Sequence, residues 1–323
     1  MKILITGAGG FIGSHLVEQC LRIGYDIKAF VHYNSRNHWG WLENSDAKNH
    51  IEVISGDIRD FDAVFSASRS ADAIIHLAAL IGIPYSYRSP QAYIRTNIEG
   101  AYNILESSKI HGVGQVLITS TSETYGTAHY VPIDETHPIL GQSPYAASKI
   151  GADQLALSYY FSYGMPIKIV RPFNTFGPRQ SARGIIPSII VQILNGKGDI
   201  KIGNLNPTRD FTYVKDTVAG FIEILKTDSL FGEVMNIGTN HEISIGDLAN
   251  SIIEIMRSDM KKNIEKSRLR PKLSEVERLK CDNAKIITHT DWRPTVELSE
   301  GLKLTIEWIS ENISYYKADH YNI

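Results

Sequence analysis

Tyr145 and Lys149 stand four residues apart in Ser143-Pro144-Tyr145-Ala146-Ala147-Ser148-Lys149. At the start of a helix that spacing puts both side chains on one face. An ammonium beside a phenol favours the phenolate and lowers the pKa of the phenol. Such a tyrosine can take the proton of a sugar or alcohol hydroxyl while hydride leaves the same carbon. Upstream, an apolar strand runs into Thr119-Ser120-Thr121-Ser122-Glu123-Thr124-Tyr125-Gly126. Thr121, at the carboxyl end of that strand, is placed to hydrogen-bond the same hydroxyl, and Ser122 and Glu123 join the candidate catalytic set. A Tyr-x-x-x-Lys pair alone arises by chance in many helices. With Thr121 and a glycine loop in the right order, chance is a poor explanation.

That loop is Gly7-Ala8-Gly9-Gly10-Phe11-Ile12-Gly13, with glycine at 7, 10 and 13 between a buried strand and an amphipathic helix. Glycines permit the tight turn and bring backbone close to a pyrophosphate. The helix start, at Phe11 and Ile12, offers unpaired N–H groups and a positive dipole end. The acid that usually holds the ribose diol of NAD follows the second strand. Here that stretch reads Phe30-Val31-His32-Tyr33-Asn34-Ser35-Arg36, and Val31 occupies its place. His32, Ser35 and Arg36 suit a 2'-phosphate, which favours NADP over NAD. The alternative is an ordinary loop with NAD held by other contacts. Asp57 is a candidate for the adenine or, equally, a turn aspartate after Gly56.

The elements that must position these groups are read from apolar runs. Strands are expected at 2–6, 27–31, 51–54, 73–76, 116–119 and 167–170, and helices at 11–23, 93–111 and 144–163. In the first helix Ile12, Leu16, Val17 and Leu21 form one apolar face. Continuous apolar strands alternating with helices imply a parallel sheet covered on both faces. The fold class is therefore α/β: a Rossmann-type doubly wound parallel sheet with a smaller α/β substrate-binding lobe. Residues 1–171 form the dinucleotide-binding domain and 172–323 mainly the lobe, with about 208–240 returning to the first domain. Helices are expected at 245–256 and 298–310. The charged stretch 261–277 reads as a surface loop or mobile lid, and the tail after Ile313 as a disordered end.

Composition narrows the function classes. Of 323 residues, 43% are hydrophobic and 21% charged, ordinary for a globular protein. A net charge of -2 argues against a nucleic-acid or anionic-membrane partner. No stretch approaches the roughly 20 apolar residues of a bilayer span. The first residues do not read as a signal peptide, so a cytoplasmic protein is expected. Cys20 and Cys281 provide neither a disulfide framework nor metal-ligand spacing. No His-Glu-x-x-His pattern occurs among the 11 histidines, and no metal site is expected.

The chain resembles the extended short-chain dehydrogenase/reductases, in their nucleotide-sugar epimerase and dehydratase branch. The resemblance spans nearly the whole length. It rests on the glycine loop, Gly56-Asp57-Ile58-Arg59-Asp60, His76-Leu77-Ala78-Ala79, Thr96-Asn97, the Tyr145/Lys149 pair, Arg171-Pro172-Phe173-Asn174-x-x-Gly177-Pro178 and Arg209-Asp210-Phe211-x-Tyr213-Val214-x-Asp216. It implies bound NAD(P), a nucleotide-sugar substrate and a homodimer. It adds Ile58, Leu77, Ala78, Ala79 and Asn97 to the cofactor site. Asn174 becomes a candidate for the substrate's phosphate or sugar. Arg209 and Arg270 become candidates for the pyrophosphate, because a guanidinium forks onto two phosphate oxygens. In this family the 144–163 helix commonly packs against its copy, and Leu157, Tyr160 and Phe161 form an apolar stripe on it.

Glu123 separates the branches. Family 4-epimerases resemble this region but usually have small residues where Ser122 and Glu123 stand. A 4,6-dehydratase must also remove the proton at carbon 5 and protonate the hydroxyl leaving carbon 6, which needs an extra acid/base. The Ser-Thr-Ser-Glu-x-Tyr-Gly segment is similar to that of GDP-mannose 4,6-dehydratases. The dTDP-glucose enzymes carry an Asp where Ser122 stands, so here one carboxyl would serve as base and acid in turn. Residues 32–42 resemble a bacterial subgroup of dehydratases that feeds legionaminic acid and related nonulosonates, with nucleotide-linked N-acetylglucosamine as substrate. The expectation is a 4,6-dehydratase of GDP- or UDP-N-acetylglucosamine. Nucleotide-glucuronate decarboxylases share the Ser-Thr-Ser-Glu segment and need an arginine near the substrate carboxylate, for which Arg183 and Arg88 are the candidates. A 4-epimerase and a catalytically silent dinucleotide sensor stand as further alternatives.

Overall fold

The structure, a computed structural model, describes residues 1–317 and residue 321. Its centre is a seven-stranded sheet. Six strands come in succession from residues 2–172: β1 (Lys2–Thr6), β2 (Asp26–His32), β3 (Glu52–Gly56), β4 (Ala73–His76), β5 (Gln115–Thr119) and β6 (Ile167–Pro172). The seventh, Val234–Ile237, pairs with β6. The order is Val234–Ile237, β6, β5, β4, β1, β2, β3, and every pairing is parallel. Ile3, Leu4 and Ile5 of β1 are fully buried. That is the reason the strand reads as an unbroken apolar run rather than an alternating one. Strand order reverses between β1 and β4, the switch point where crevices open at the carboxyl ends of such sheets.

Helices cover both faces. The first face carries α1 (Phe11–Arg22) with Val214–Lys226, and the second carries α2 (Phe61–Ser68), α5 (Gly100–His111) and α6 (Pro144–Tyr163). Two short helices, α3 (Ile83–Arg88) and α4 (Pro90–Tyr93), lie between β4 and a π-helical turn at Ile94–Glu99 that leads into α5. The expected single helix over 93–111 is therefore split. Such π-turns frequently mark functional sites, and this one carries Asn97. α6 starts where its sequence says it should. Ser143 accepts the N–H of Ala146 at 3.1 Å, Pro144 fills the first helical position, and Gly164 ends the helix at φ +64°.

The remaining chain forms small two-stranded pairs: Asn174–Phe176 with Phe211–Tyr213, Thr208–Arg209 with Ile243–Ser244, and Ile200–Ile202 with Lys262–Ile264. They pack with helices Ile185–Asn195, Ile245–Ile255 and Leu298–Glu311. The stretch 261–277 differs from the expected surface loop. Its first part adds a strand, and its later part carries Arg270 and Glu275 into the central cavity. The tail also differs from expectation as far as it is described. Ile313–Tyr315 forms a turn, the Tyr315 hydroxyl accepts from Asn44 Nδ2 at 2.8 Å, and the Tyr316 hydroxyl donates to the Gln180 carbonyl at 2.9 Å. The Tyr315 and Tyr316 rings meet Trp41 and Trp308 edge-on, contacts that hold this part of the tail to the body of the protein. Beyond Lys317 only Tyr321 lies within the described residues. No helix among the described residues is long and apolar enough to cross a membrane.

Candidate active site

A cavity of about 1180 Å³ opens at the carboxyl ends of the strands and extends between sheet and lobe. Its dinucleotide half is made largely of backbone. Gly7 follows β1 in the left-handed region, at φ +68°. A Cβ on Gly13 would lie 2.2 Å from the Gly7 carbonyl oxygen, so helix and turn approach as closely as two backbones can. Gly10 caps α1 without a side-chain hydrogen bond, and no acid stands in the first turn. The first N–H groups of the helix are thus free for an anion. This cradle fits a dinucleotide pyrophosphate.

Thr6 organises the opposite wall. Its hydroxyl accepts the N–H groups of Leu77 and Ala78 at 3.2 and 3.1 Å and pairs with His76 Nδ1 at 2.8 Å. Burial pushes His76 down to about 3, with the Lys149 charge adding to the effect, so the imidazole is neutral. Leu77, Ala78, Ala79, His32, Asp57 and Ile58 all line the cavity, as do Gly7, Gly10, Phe11, Ile12 and Gly13. Asp57 also accepts from the Arg59 backbone and side chain at 2.9 Å each. The Arg59 hydrogen bond, working against burial, holds its carboxyl at about 2.

Three expected cofactor residues are placed elsewhere. Asn97 is buried and does not line the cavity. Its amide joins both backbone groups of Leu80 to Ser148 Oγ, at 2.8, 3.0 and 2.9 Å, and so fixes the β4 end against the catalytic helix. Ser35 and Arg36 are also absent from the lining. Asn34 Oδ1 accepts the N–H groups of Arg36 and His38, folding a loop on which Ser35 and Arg36 are exposed. Asn34, His38, Trp39 and Gly40 line the cavity in their place. In the sequence these four residues carry no cofactor expectation of their own and belong only to the stretch of family resemblance over 32–42. Its Trp39-Gly40-Trp41 triplet was the available signal.

The catalytic candidates converge where the two halves meet. Thr121, Glu123, Tyr145 and Lys149 share the cavity wall. Thr121 caps the short turn Ser122–Tyr125 and accepts the Glu123 N–H at 3.3 Å, which aims Glu123 inward. Ser122 is buried but lies outside the lining, because the same turn directs it away. Beneath them Asp153 Oδ2 accepts from Ser120 Oγ at 2.6 Å and from Arg171 Nη2 at 2.8 Å. This nearly dry ion pair ties the ends of β5 and β6 to α6. The electrostatics depart from the expected phenolate. Burial pushes the Tyr145 phenol above its ordinary range, the Thr121 hydroxyl acts against that, and the Glu123 charge adds to it. Burial likewise lowers Lys149 to about 8, opposed by Asp153. Burial is the largest influence on Tyr145, so the phenol keeps its proton in the ligand-free site.

The substrate half is made of charged and polar side chains. Arg209 is buried and lies with its Nε 3.9 Å from Glu123 Oε1 and its Nη2 3.7 Å from Glu275 Oε1. Arg270 Nη1 lies 3.8 Å from Glu123 and 3.6 Å from Glu275. These separations are too long for hydrogen bonds. Arg270 Nη1 and Asn174 Oδ1 are buried without a hydrogen-bond partner among the described residues. Buried polar groups left open in this way call for a ligand. Burial pulls Arg209 below its ordinary value, with the Glu123 charge the main opposing influence. Glu275 was missed as a site residue. Nothing local in the sequence shows that the stretch turns inward. Of the two further arginines, Arg183 lines the cavity and Arg88 does not. Phe161 is 76% exposed on α6, whereas Leu157 and Tyr160 are half-buried.

Known proteins share this architecture. A family model described as GDP-mannose 4,6 dehydratase matches residues 4–305. The chain is 30% identical to a dTDP-glucose 4,6-dehydratase of Streptomyces antibioticus, covering 98% of this chain and 95% of that protein. It is 33% identical to a UDP-glucuronate 4-epimerase of Thermodesulfobacterium geofontis, covering 98% of both. Among solved structures it is similar to DesIV, a dTDP-glucose 4,6-dehydratase of Streptomyces venezuelae solved with NAD bound. The TM-score is 0.90 at 29% identity, over 98% of this chain and 99% of that one. With the glycine cradle, the Thr121–Tyr145–Lys149 wall and these matches together, the chain belongs to the GDP-mannose 4,6-dehydratase family, in the nucleotide-sugar dehydratase branch of the extended short-chain dehydrogenase/reductases.

Proposed function

We propose that the protein is a cytoplasmic nucleotide-sugar 4,6-dehydratase. It converts GDP- or UDP-N-acetylglucosamine to the 4-keto-6-deoxy sugar, of the kind that feeds legionaminic acid and related nonulosonates. The observation that carries this reading is Glu123, an inward-facing carboxylate on the same wall as Tyr145, Lys149 and Thr121. Reversible oxidation at carbon 4 needs only the last three. The extra carboxylate is what water loss across carbons 5 and 6 requires.

The dinucleotide, when bound, supplies a hydride acceptor for carbon 4, a hydride donor for carbon 6 and a positive ring near the phenol. The chain's residues do the rest. Tyr145, held by Thr121 and beside Lys149, takes the proton from the carbon-4 hydroxyl. Glu123 takes the proton that the new ketone acidifies at carbon 5 and gives it to the hydroxyl leaving carbon 6, and Tyr145 then passes its own proton to carbon 5, so that both residues end as they began. Arg209, Arg270 and Asn174 hold the diphosphate, which gives the open Arg270 Nη1 an acceptor. We take NAD as the dinucleotide, since Ser35 and Arg36, two of the residues that favoured NADP, do not line the cavity. The exposed Phe161 and Tyr102, on α6 and α5, suit the helix-to-helix contact of a homodimer, which sedimentation equilibrium checks.

A second reading has one observation in its favour. Arg183 lines the cavity and would suit the carboxylate of a nucleotide-glucuronate, as a decarboxylase or 4-epimerase requires. Glu123→Gln tests the role that the first reading gives to Glu123. Under the dehydratase reading it still binds substrate and shows transient reduced dinucleotide by absorbance, but forms no dehydrated product. Dehydration at the wild-type rate would remove Glu123 from its role.

A further inference from the structure

The segment between β2 and β3 is fastened to the glycine loop backbone to backbone. The Trp41 N–H donates to the Gly9 carbonyl at 2.9 Å. A Cβ on Gly9 would lie 2.3 Å from the Trp39 carbonyl oxygen, and one on Gly40 would lie 2.2 Å from the Gly9 oxygen. Gly40 also holds φ +68°, so a side chain there is excluded by space and by backbone conformation. The segment is stiff in itself. Asn34 bridges it through four hydrogen bonds to residues 32, 36 and 38, His38 Nδ1 accepts from the Gly40 N–H at 2.9 Å, and Glu43 Oε1 accepts from the Trp39 N–H at 2.8 Å.

Its outer side is anchored to the end of the chain. Trp41 meets Trp308 and Tyr315 edge-on, with ring centres 5.3 and 5.1 Å apart, and Asn44 donates to the Tyr315 hydroxyl at 2.8 Å. The contacts continue to the far rim of the cavity. The Tyr316 hydroxyl donates to the Gln180 carbonyl at 2.9 Å, and residues 180–184 line the cavity opposite the glycine loop. A second line of contacts joins the same parts through α1. Ser45 Oγ donates to Glu18 at 2.7 Å, Glu18 pairs with Arg179 at 2.8 Å, and Arg179 donates to Ser14 Oγ at 3.1 Å.

We propose that this strap belongs to the dinucleotide site: Asn34, His38, Trp39 and Gly40 form one wall of it, and Trp41, pinned by Trp308 and Tyr315, clasps the wall onto the glycine loop so that the bound dinucleotide is held as a resident. The inference rests on reading the glycine loop as a dinucleotide cradle. The physical argument is one of release. A ligand seated between Gly10 and Trp39 leaves only when the strap moves, and the strap moves only when the Trp41 N–H bond to Gly9 and its aromatic anchors part together. Contacts of that kind act mainly on the dissociation rate. A cofactor regenerated in each cycle has no catalytic reason to leave.

The test is the dinucleotide content of the purified protein, measured by chromatography after acid release, together with the dissociation rate of NAD from reloaded protein. Wild type is expected to retain dinucleotide through gel filtration. Trp41→Ala, whose side chain lies outside the cavity lining, is expected to lose most of it, with dissociation at least tenfold faster. Trp41→Phe, which keeps an edge-on ring, should retain it. Tyr315→Phe and Tyr316→Phe remove only hydroxyls and leave the fold intact. They are expected to accelerate dissociation several-fold even if Trp41→Ala does not fold. Dissociation at the wild-type rate from folded Trp41→Ala, or from both tyrosine variants where Trp41→Ala fails to fold, overturns the clasp while leaving the cradle standing. Wild type that binds no dinucleotide even on titration overturns the cradle itself and the clasp with it.

Discussion

The two halves of the cavity are built on opposite principles. In the dinucleotide half, positions are set by glycines, strand ends and one helix terminus, all within a few residues of one another in sequence: Gly7 to Gly13, His76 to Ala79. In the substrate half, four charged side chains from positions 123, 209, 270 and 275 meet at separations of 3.6 to 3.9 Å, with buried polar atoms left open. A backbone cradle is preorganised and insensitive to which residue neighbours it, provided no Cβ intrudes. A side-chain cluster is held by mutual attraction and reorganises around whatever anion arrives. The first suits a permanent occupant, the second a substrate that comes and goes.

The largest expected effect lies where the halves meet. Tyr145→Phe removes the group that moves the carbon-4 proton, so turnover should fall by about 10²–10⁴-fold while both ligands still bind. Rapid-quench measurement of product checks this. A comparable effect on binding alone would mean that Tyr145 holds a ligand rather than a proton. Gly13→Ala comes next and should strike only the dinucleotide half. The added Cβ meets the Gly7 oxygen at 2.2 Å, an overpacking cost of about 1–3 kcal/mol. Dinucleotide affinity by calorimetry should drop tenfold or more on the scale of about 1.4 kcal/mol per tenfold. An unchanged affinity would show that the cradle is not where the dinucleotide sits.

The difference between the halves also explains what could be read before the structure. Strand β1 and the glycine loop were legible because burial on both sheet faces leaves an unbroken apolar run and the turn chemistry is local. The Tyr145/Lys149 pair was legible for the same reason, since helical spacing alone puts both on one face. Glu275 was not, because its entry depends on a chain segment returning across the lobe to residues nearly 150 positions away, such as Thr127. Ser35 and Arg36 misled because one Asn34 side chain decides which way the loop faces. The direction of the Tyr145 pKa was not legible because its largest cause is desolvation, a property of the packed fold that sequence spacing does not show.

Arg270→Ala tests the substrate half in isolation. Loss of a charge-assisted contact of about 1.5–3 kcal/mol should raise the KM for the sugar nucleotide roughly ten- to a hundredfold. Dinucleotide affinity should stay as it was, and a joint loss of both would dissolve the distinction between the halves. The smallest effect concerns Lys149, whose pKa is lowered by burial to about 8 from an ordinary value of 10.5. Between those values the unfolded chain holds a proton that the folded chain has released. This group therefore makes stability rise with pH across that window. Urea midpoints of wild type and Lys149→Met, compared from pH 8 to 10, should shift in favour of wild type as pH rises. A constant difference would mean that the ammonium is not desolvated.

The central claim is water loss at a cavity that holds Glu123 beside Tyr145. It is tested most directly by incubating the purified protein separately with GDP- and UDP-N-acetylglucosamine, GDP-mannose and UDP-glucuronate and weighing the products. The account predicts a product lighter by one water from an N-acetylglucosamine nucleotide. Loss of carbon dioxide from the glucuronate, or no loss of water from any of the four, would contradict it.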